Sequence, residues 1–362
     1  MTTEHDIKKT ALIISKYLPK WNHTYAKSEQ EKEAFAKAVN QLDYTQNEDL
    51  LWKQFADLIN QFVPDNHILL KQNGKNIIPK KMPPSKVNIE MDLPQNHEKF
   101  KISDKGDWFI STKKIAHKNI GIITMPFFAF SENEDETTRK KFINRFFELK
   151  KENKWHDIIF DFRGNTGGDA QVLKEIAERL AGASLKYADR IEAILPKETD
   201  PYHHLFQNKI QEAEMYSFIS SEESERAKGN IFILQDGWNA SASEGAIFML
   251  KQLKNSYTIG EQTSGTYQSG ATVSLQVSPD IELVIGTKYM ERLDQKGNII
   301  EEKKGFKPDF QVKSQQAMKK AFSLVRTKNQ TLIRAFSILA KLGNFLSKNK
   351  NHQPFQKQNN QR

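Results

Sequence analysis

The chain of 362 residues contains no cysteine. Disulfides, thiolate metal centres and cysteine nucleophiles are therefore excluded outright. That absence fits a reducing or an oxidising compartment alike. Long apolar runs are missing too, since no stretch approaches the ~18–20 residues that span a bilayer as a helix. The start, Met1-Thr2-Thr3-Glu4-His5-Asp6, lacks the basic segment and apolar run of a secretory signal. The compartment stays open on this reading: cytoplasmic for the chain as it stands, exported if a leader has been removed. No ligand cluster for a metal is visible and no cofactor is expected.

What is present is a foldable but heavily solvated chain. Apolar residues make up only 38%, yet Phe is abundant at 23, so a core is affordable for one large or two modest domains. The net charge is +9. A basic balance can signal nucleic acid or anionic lipid. Here the cations are scattered among 45 acidic residues and concentrate only in Lys348–Arg362, which reads as a solvated tail. No nucleic-acid partner is expected.

Periodicity organises the chain. Ile7, Ala11, Ile14 and Leu18 recur at helical spacing, as do Phe35, Ala38, Val39 and Leu42, and then Leu50 to Phe62. Residues 1–66 therefore read as a helical subdomain. Residues 67–118, broken by Pro79, Pro83, Pro84 and Pro94, read as a linker with short strands. From Ile120 the rhythm is strand, helix, strand: Ile120–Met125, Glu136–Asn153, Ile158–Phe160, a helix through Leu173 and Leu180, Asn230–Leu234, Ala240–Leu253 and Tyr257–Gly260. Strand, polar turn, helix, strand is an α/β crossover pattern. It places a core at 119–314, with later strands at Thr272–Val277 and Glu282–Thr287. A last helix over about 315–347 and a basic polar tail complete 315–362.

Two turns could carry chemistry. In Asn239-Ala240-Ser241-Ala242-Ser243-Glu244, a serine stands just past a buried strand at the start of a helix. Backbone N–H groups there lack helical partners and lie at the positive end of the helix dipole, where they can face a developing oxyanion. Ser and Asn are equally favoured at such a spot as helix caps. In Arg163-Gly164-Asn165-Thr166-Gly167-Gly168, consecutive glycines let the backbone approach a ligand. The spacing matches neither a P-loop nor a dinucleotide fingerprint, and a purely structural turn fits as well.

Together the two segments resemble the carboxyl-terminal processing, or tail-specific, serine peptidases (peptidase family S41), which include tricorn. The family's Asp-Leu-Arg-x-Asn-x-Gly-Gly is matched by Asp161 to Gly168, and its Thr-Ala-Ser-Ala-Ser-Glu by Asn239 to Glu244. Its Gly-Glu-x-Thr-x-Gly is matched by Gly260 to Gly265. An Asp-x-x-Gly turn at Asp294–Gly297 and Gly-x-x-Pro-Asp at Gly305–Asp309 follow in order. The resemblance covers about residues 50 to 315. It implies an α/β fold of the ClpP/crotonase-like kind, with the helical subdomain and C-terminal helix appended.

The resemblance also implies roles. Ser241 aligns with the nucleophile. The processing branch uses a lysine shortly after Gly-Glu-x-Thr; that position holds Thr266, which cannot act as a base. The tricorn-like branch uses an upstream histidine after a helix and short turn, matched here by His67 in Asp65-Asn66-His67, where Asn66 replaces a small residue. Imidazole's ordinary pKa of ~6.5 suits a general base. His117, His156, His203 and His204 lack such a context. Tricorn-like enzymes orient the base with a glutamate just before Gly-x-x-Pro-Asp, matched by Glu302, with Glu301 beside it. The implied oxyanion donors are the Ala242 N–H and that of Gly167 or Gly168. Residues 68–118 are too few for a PDZ domain, so tail-specific recognition is not expected.

The expected activity is hydrolysis of peptide bonds in a peptide or protein substrate through a Ser241 acyl-enzyme. The alternative is a catalytically silent relative that binds peptide or lipid, motivated by the missing lysine. Homo-oligomerisation is left open, since related folds often assemble through terminal helices.

Overall fold

A computed structural model describes residues 4–21, 29–63, 67–77, 94, 96–103, 106–128, 136–186, 188–193, 225–266, 269–293, 304–327, 333, 335, 337 and 338. Its elements in chain order begin with α1 (Glu4–Trp21), α2 (Glu29–Asn40), α3 (Glu48–Phe62), β1 (Leu69–Gln72) and β2 (Lys75–Asn76). Next come β3 (His97–Ser103), β4 (Gly106–Ile115), β5 (Lys118–Thr124), α4 (Glu136–Glu152), β6 (Asp157–Asp161) and α5 (Gln171–Ala181). The remainder comprises β7 (Arg190–Ala193), β8 (Ile231–Gln235), α6 (Ala242–Leu250), β9 (Ser256–Gly260), β10 (Ser269–Gln276), β11 (Ile281–Glu291), β12 (Phe310–Gln311) and α7 (Ala317–Arg326).

These elements build two sheets. The larger has seven strands in the order β12-β9-β8-β6-β5-β4-β3. It is parallel from β12 to β5, and β4 and β3 add antiparallel strands. The fold class is the mixed α/β one expected. The middle of β6, Ile158–Phe160, and β8 up to Leu234 are apolar on both faces because both faces are covered. Ile158, Phe160, Ile231 and Ile233 face a core shared with α4, α5 and α6. Ile159, Phe232 and Leu234 face the opposite core, which α7 closes with Met318, Ala321, Leu324 and Val325. Helix α5 ends at Gly182 in the left-handed region (φ 66°), the usual glycine stop.

The smaller sheet has five strands. Its path is β10-β11-β1-β2, and β7 also pairs with β11. Val273, Leu275, Leu283, Ile285, Ile68 and Leu70 pack against Ile14, Phe35, Trp52, Phe55 and Ile59 of α1–α3. The apolar stripes read in the first 62 residues are therefore spent on this second sheet. Asn47 starts α3 by accepting the Asp49 N–H at 2.9 Å.

Residues 67–118, expected to carry short strands, hold four of the described ones. They supply β1 and β2 to the small sheet and β3 and β4 to the large one. Trp108 on β4 lies wholly inside, edge-on to Phe142 and Phe128. Three of the pairings are local hairpins, β1 with β2, β3 with β4 and β4 with β5, and among the described residues only β1 reaches a distant partner, β11. At the other end, α7 stops at Arg326, and most of the expected helix beyond it lies outside the described residues.

The close approach of α4's end to the sheet depends on Gly121, where a Cβ would sit 2.3 Å from the Trp155 ring. Trp155 is itself held by its Nε1–H donating to Thr112 Oγ1 at 2.8 Å. Gly121→Ala is expected to destabilise the chain by about 1–3 kcal/mol through overpacking. Equilibrium urea unfolding checks this, and an unchanged midpoint would mean the indole moves aside freely.

Candidate active site

Ser241 sits between β8 and α6, where the chain leaves the middle of the parallel sheet. Ligand sites of open α/β sheets lie at such carboxyl ends of strands. Its backbone is strained: φ is 54° and ψ is −124°, a region that non-glycine residues avoid. Strain of this kind costs ~1–3 kcal/mol and persists only where the surroundings over-determine it. Here they do. The Ser241 N–H donates to the Thr266 carbonyl at 2.5 Å, and the Ser241 carbonyl accepts the Glu244 and Gly245 amides at 3.0 and 3.2 Å. The side chain remains partly exposed.

Gly167 packs directly on this turn. A Cβ there would lie 2.7 Å from the Ala240 oxygen, 2.9 Å from Ser241 Cβ and 3.1 Å from the Ala242 nitrogen. Its φ of 102° also requires glycine. The Gly167 N–H, however, donates to Asn165 Oδ1 at 2.8 Å, so it is already committed. The Gly167 carbonyl accepts from Phe128, and Phe128 in turn accepts from Asp169, leaving exposed Gly168 at the centre of a parallel bridge. Neither the Gly168 N–H nor that of Ala242, the first residue of α6, donates within these turns.

Two short polar side chains hold the turns together. Asn239 is fully buried. Its Oδ1 accepts the Asp236 N–H at 2.6 Å, and its Nδ2 donates to the Phe162 carbonyl at 2.5 Å and to Ser243 Oγ at 2.8 Å. Ser243 is thus a buried strut, whereas its neighbour Ser241 is accessible. Asp236 accepts the Gly164 and Trp238 amides, each at 2.9 Å. Below them Asp161 and Arg163 form a buried bidentate pair at 2.8 and 2.6 Å, with Arg163 Nη1 donating to the Ser314 carbonyl.

Glu244 holds a third segment. It is fully buried on α6 and accepts the Thr263 hydroxyl, the Gly265 N–H at 3.0 Å and the Thr266 N–H at 2.7 Å. Burial pushes its carboxyl up to about 7, against the pull of these donors and of Arg292. Burial likewise pushes Asp236 up to about 6, against the pull of its two amide donors. Glu244, Asn239 and Asp236 were not singled out by the sequence reading. A signal for Glu244 existed, since it is the sole charged residue of an otherwise apolar helix.

The structure brings Ser241, Ala242 and the Gly167–Gly168 loop together. His67 lies between α3 and β1, just before Ile68 and Leu70, which are inserted in the core of the second sheet. That sheet leads back to the serine turn: β1 pairs with β11, β11 with β10, and β10 begins shortly after Thr266. Glu302 and Glu301 lie outside the described residues, as does the whole Asp294–Gly297 turn. Among the described residues no group of three His, Asp or Glu is placed to hold a metal ion. No described helix is long and apolar enough to cross a membrane.

The sequence profile of Peptidase family S41 matches residues 119–312, more than half of the chain. The chain belongs to peptidase family S41. This is a family of serine peptidases, and the five motifs read in the sequence fall almost wholly within the match. No curated protein matches the chain by sequence. Among solved structures, a candidate peptidase from Parabacteroides merdae is similar with a TM-score of 0.60 at 14% identity, over 91% of this chain and 99% of that one. Mature CPAF, solved with lactacystin, is similar at 0.55 and 11% identity, over 91% and 99%. A lipoprotein from Streptococcus agalactiae is similar at 0.51 and 14% identity, over 89% and 97%. At these identities the likeness is one of fold.

The raised carboxyls make stability depend on pH. Each is protonated in both folded and unfolded chains below about pH 4, where its contribution is fully present. As pH rises, the unfolded carboxyl ionises first, so that contribution is lost up to about pH 6 for Asp236 and about 7 for Glu244. Asp236→Asn is expected to flatten the fall of the unfolding midpoint between about pH 4 and 6. Denaturant titrations at several pH values test this, and an unaltered slope would contradict it.

Proposed function

We propose that this chain is an active serine peptidase in which Ser241 attacks the peptide carbonyl. The observation that carries this reading is the strained Ser241 turn, with an accessible hydroxyl at the N-terminus of α6 beside the glycine loop. A purely capping serine has no need of this conformation, and its side chain caps nothing here.

In the proposed cycle His67 takes the Ser241 proton as the hydroxyl attacks. The tetrahedral oxyanion is held by the Ala242 N–H and the Gly168 N–H. Gly168 is preferred over Gly167 because the latter's N–H is already bound to Asn165. His67 then returns the proton to the leaving amine, and water hydrolyses the acyl-enzyme by the same route in reverse. Glu302 is proposed to orient His67, as a third group does in such systems. The substrate is a peptide or protein. The organisation proposed places the helical subdomain at 1–66, the linking segment at 67–118, the peptidase core at 119–314 and the C-terminal helix and tail at 315–362.

A fluorophosphonate probe is expected to label Ser241, with the adduct located by peptide mass mapping. Ser241→Ala abolishes labelling, and His67→Ala slows it by ~100–10,000-fold, the range for loss of a general base. Labelling that persists in Ser241→Ala would refute the assignment of the nucleophile. Labelling at full rate in His67→Ala would refute that of the base.

A further inference from the structure

Helix α6 carries one charged residue, Glu244, and buries it completely one turn after Ser241. All three groups that donate to its carboxylate lie on residues 263–266. Oε1 accepts the Thr263 hydroxyl and the Gly265 N–H, and Oε2 accepts the Thr266 N–H. The segment is anchored from its other side as well. The Phe306 N–H donates to Thr263 Oγ1 at 2.7 Å, and the Ser264 N–H donates to the Asn239 carbonyl at 3.0 Å. Thr266 then accepts the Ser241 N–H on its own carbonyl.

We propose that Glu244 is a positioning residue for Ser241, gripping Thr266 by its N–H so that the Thr266 carbonyl holds Ser241 in the left-handed conformation. The inference rests on the assignment of Ser241 as nucleophile. It requires the ionised form. A carboxylate only accepts, and here it meets three donors. A protonated carboxyl, or an amide, brings hydrogens of its own to a site already filled with them. An amide then leaves one N–H of the segment without an acceptor, and a protonated carboxyl keeps the three contacts only more weakly, with the Thr263 hydroxyl turned round to accept. Among the described residues Arg292, itself fully buried, is the charged group acting on Glu244; Thr263, Gly265 and Thr266 are neutral. Burial places the titration near neutral pH, so acid releases the grip.

The test is the second-order rate of fluorophosphonate labelling of the full chain between about pH 6 and 9, with melting midpoints measured alongside. Glu244→Gln is expected to label about 10–100-fold more slowly at pH 8, the scale of a small misplacement of a reacting atom. Its melting midpoint is expected to fall, since one inward N–H loses its acceptor and buried Arg292 loses the charge of Glu244, so rates are compared at temperatures where both proteins are folded. Thr263→Val, which deletes one donor and keeps the carboxylate, is expected to shift the rise in labelling rate to higher pH. Labelling of Glu244→Gln at the wild-type rate overturns the proposal. So does a loss of rate that merely follows a fall in the folded fraction. Should Glu244→Gln fail to fold, Thr263→Val decides, and an unshifted profile overturns the proposal. A wild-type chain that takes no label at Ser241 overturns this inference and the nucleophile assignment together. A labelled wild type with an indifferent Glu244→Gln removes only the role of Glu244.

Discussion

The hydrogen bond from the Ser241 N–H to the Thr266 carbonyl, 2.5 Å long, joins two parts of the chain that are otherwise separate in sequence. On one side it holds a residue in a backbone conformation that L-amino acids avoid. On the other it fixes the segment from which β10 departs into the second sheet. Ser241 cannot relax to an ordinary helix cap without releasing Thr266. Thr266 cannot shift without disturbing its N–H contact to Glu244. A strained position persists only under this kind of over-determination. The close packing of Gly167 against Ser241 Cβ supplies the remaining wall.

Seen this way, the family motifs are largely the scaffold of one turn. Asp161 and Arg163 pair with each other, and Arg163 also donates to the Ser314 carbonyl, beneath the glycine loop. Asn239 stitches that loop to the serine turn through the Phe162 carbonyl. Gly305 packs where a Cβ would meet the Thr263 carbonyl at 2.2 Å, and Asp309 accepts the Thr258 N–H at 2.9 Å, tying the last motif to β9. Among the described residues, each of the four motifs other than the Asp294–Gly297 turn therefore contacts another. Thr266 illustrates the point. It replaces the lysine of the processing branch, yet its backbone still carries the contact to Ser241, and its hydroxyl accepts from Ser264 Oγ at 3.1 Å. With threonine at this position the backbone closes the serine turn without help from the side chain.

The parts of this arrangement that were legible in the sequence are those with short-range signatures. The stripes Ile14, Leu18, Phe55 and Ile59 gave the first helices, and the apolar runs Ile158–Phe160 and Ile231–Leu234 gave central strands, because burial on one face or on both writes itself into local order. The serine turn was legible as an ordered set of motifs. The short strands expected over 67–118 were legible only as such: which sheet each joins was not, because β1 takes its place by pairing Leu70 with Leu283, far away in the chain. Nor was the commitment of the Gly167 amide, since Asn165 reaches it by an Asx turn that leaves no trace beyond the residue types themselves. Sequence proximity made Gly167 and Gly168 equivalent; hydrogen bonding separates them.

Glu244 and Asp236 show why such a site conflicts with stability. Each is a carboxylate placed where burial disfavours its charge strongly enough to outweigh several donors. Apolar side chains of similar size would avoid that cost. They would also leave the Gly265, Thr266 and Gly164 amides facing α6 and the β8 turn with no acceptor, and buried unpaired amides carry a penalty of ~1–3 kcal/mol each. The carboxylates are therefore consequences of the loops they serve. A serine turn strained at φ 54° needs amides directed inward on both flanks to hold it, and inward-directed amides need buried acceptors. Two oxygens on one side chain satisfy more such donors than any neutral residue of that size, so the requirement for a rigid serine turn is what places acidic groups beneath it.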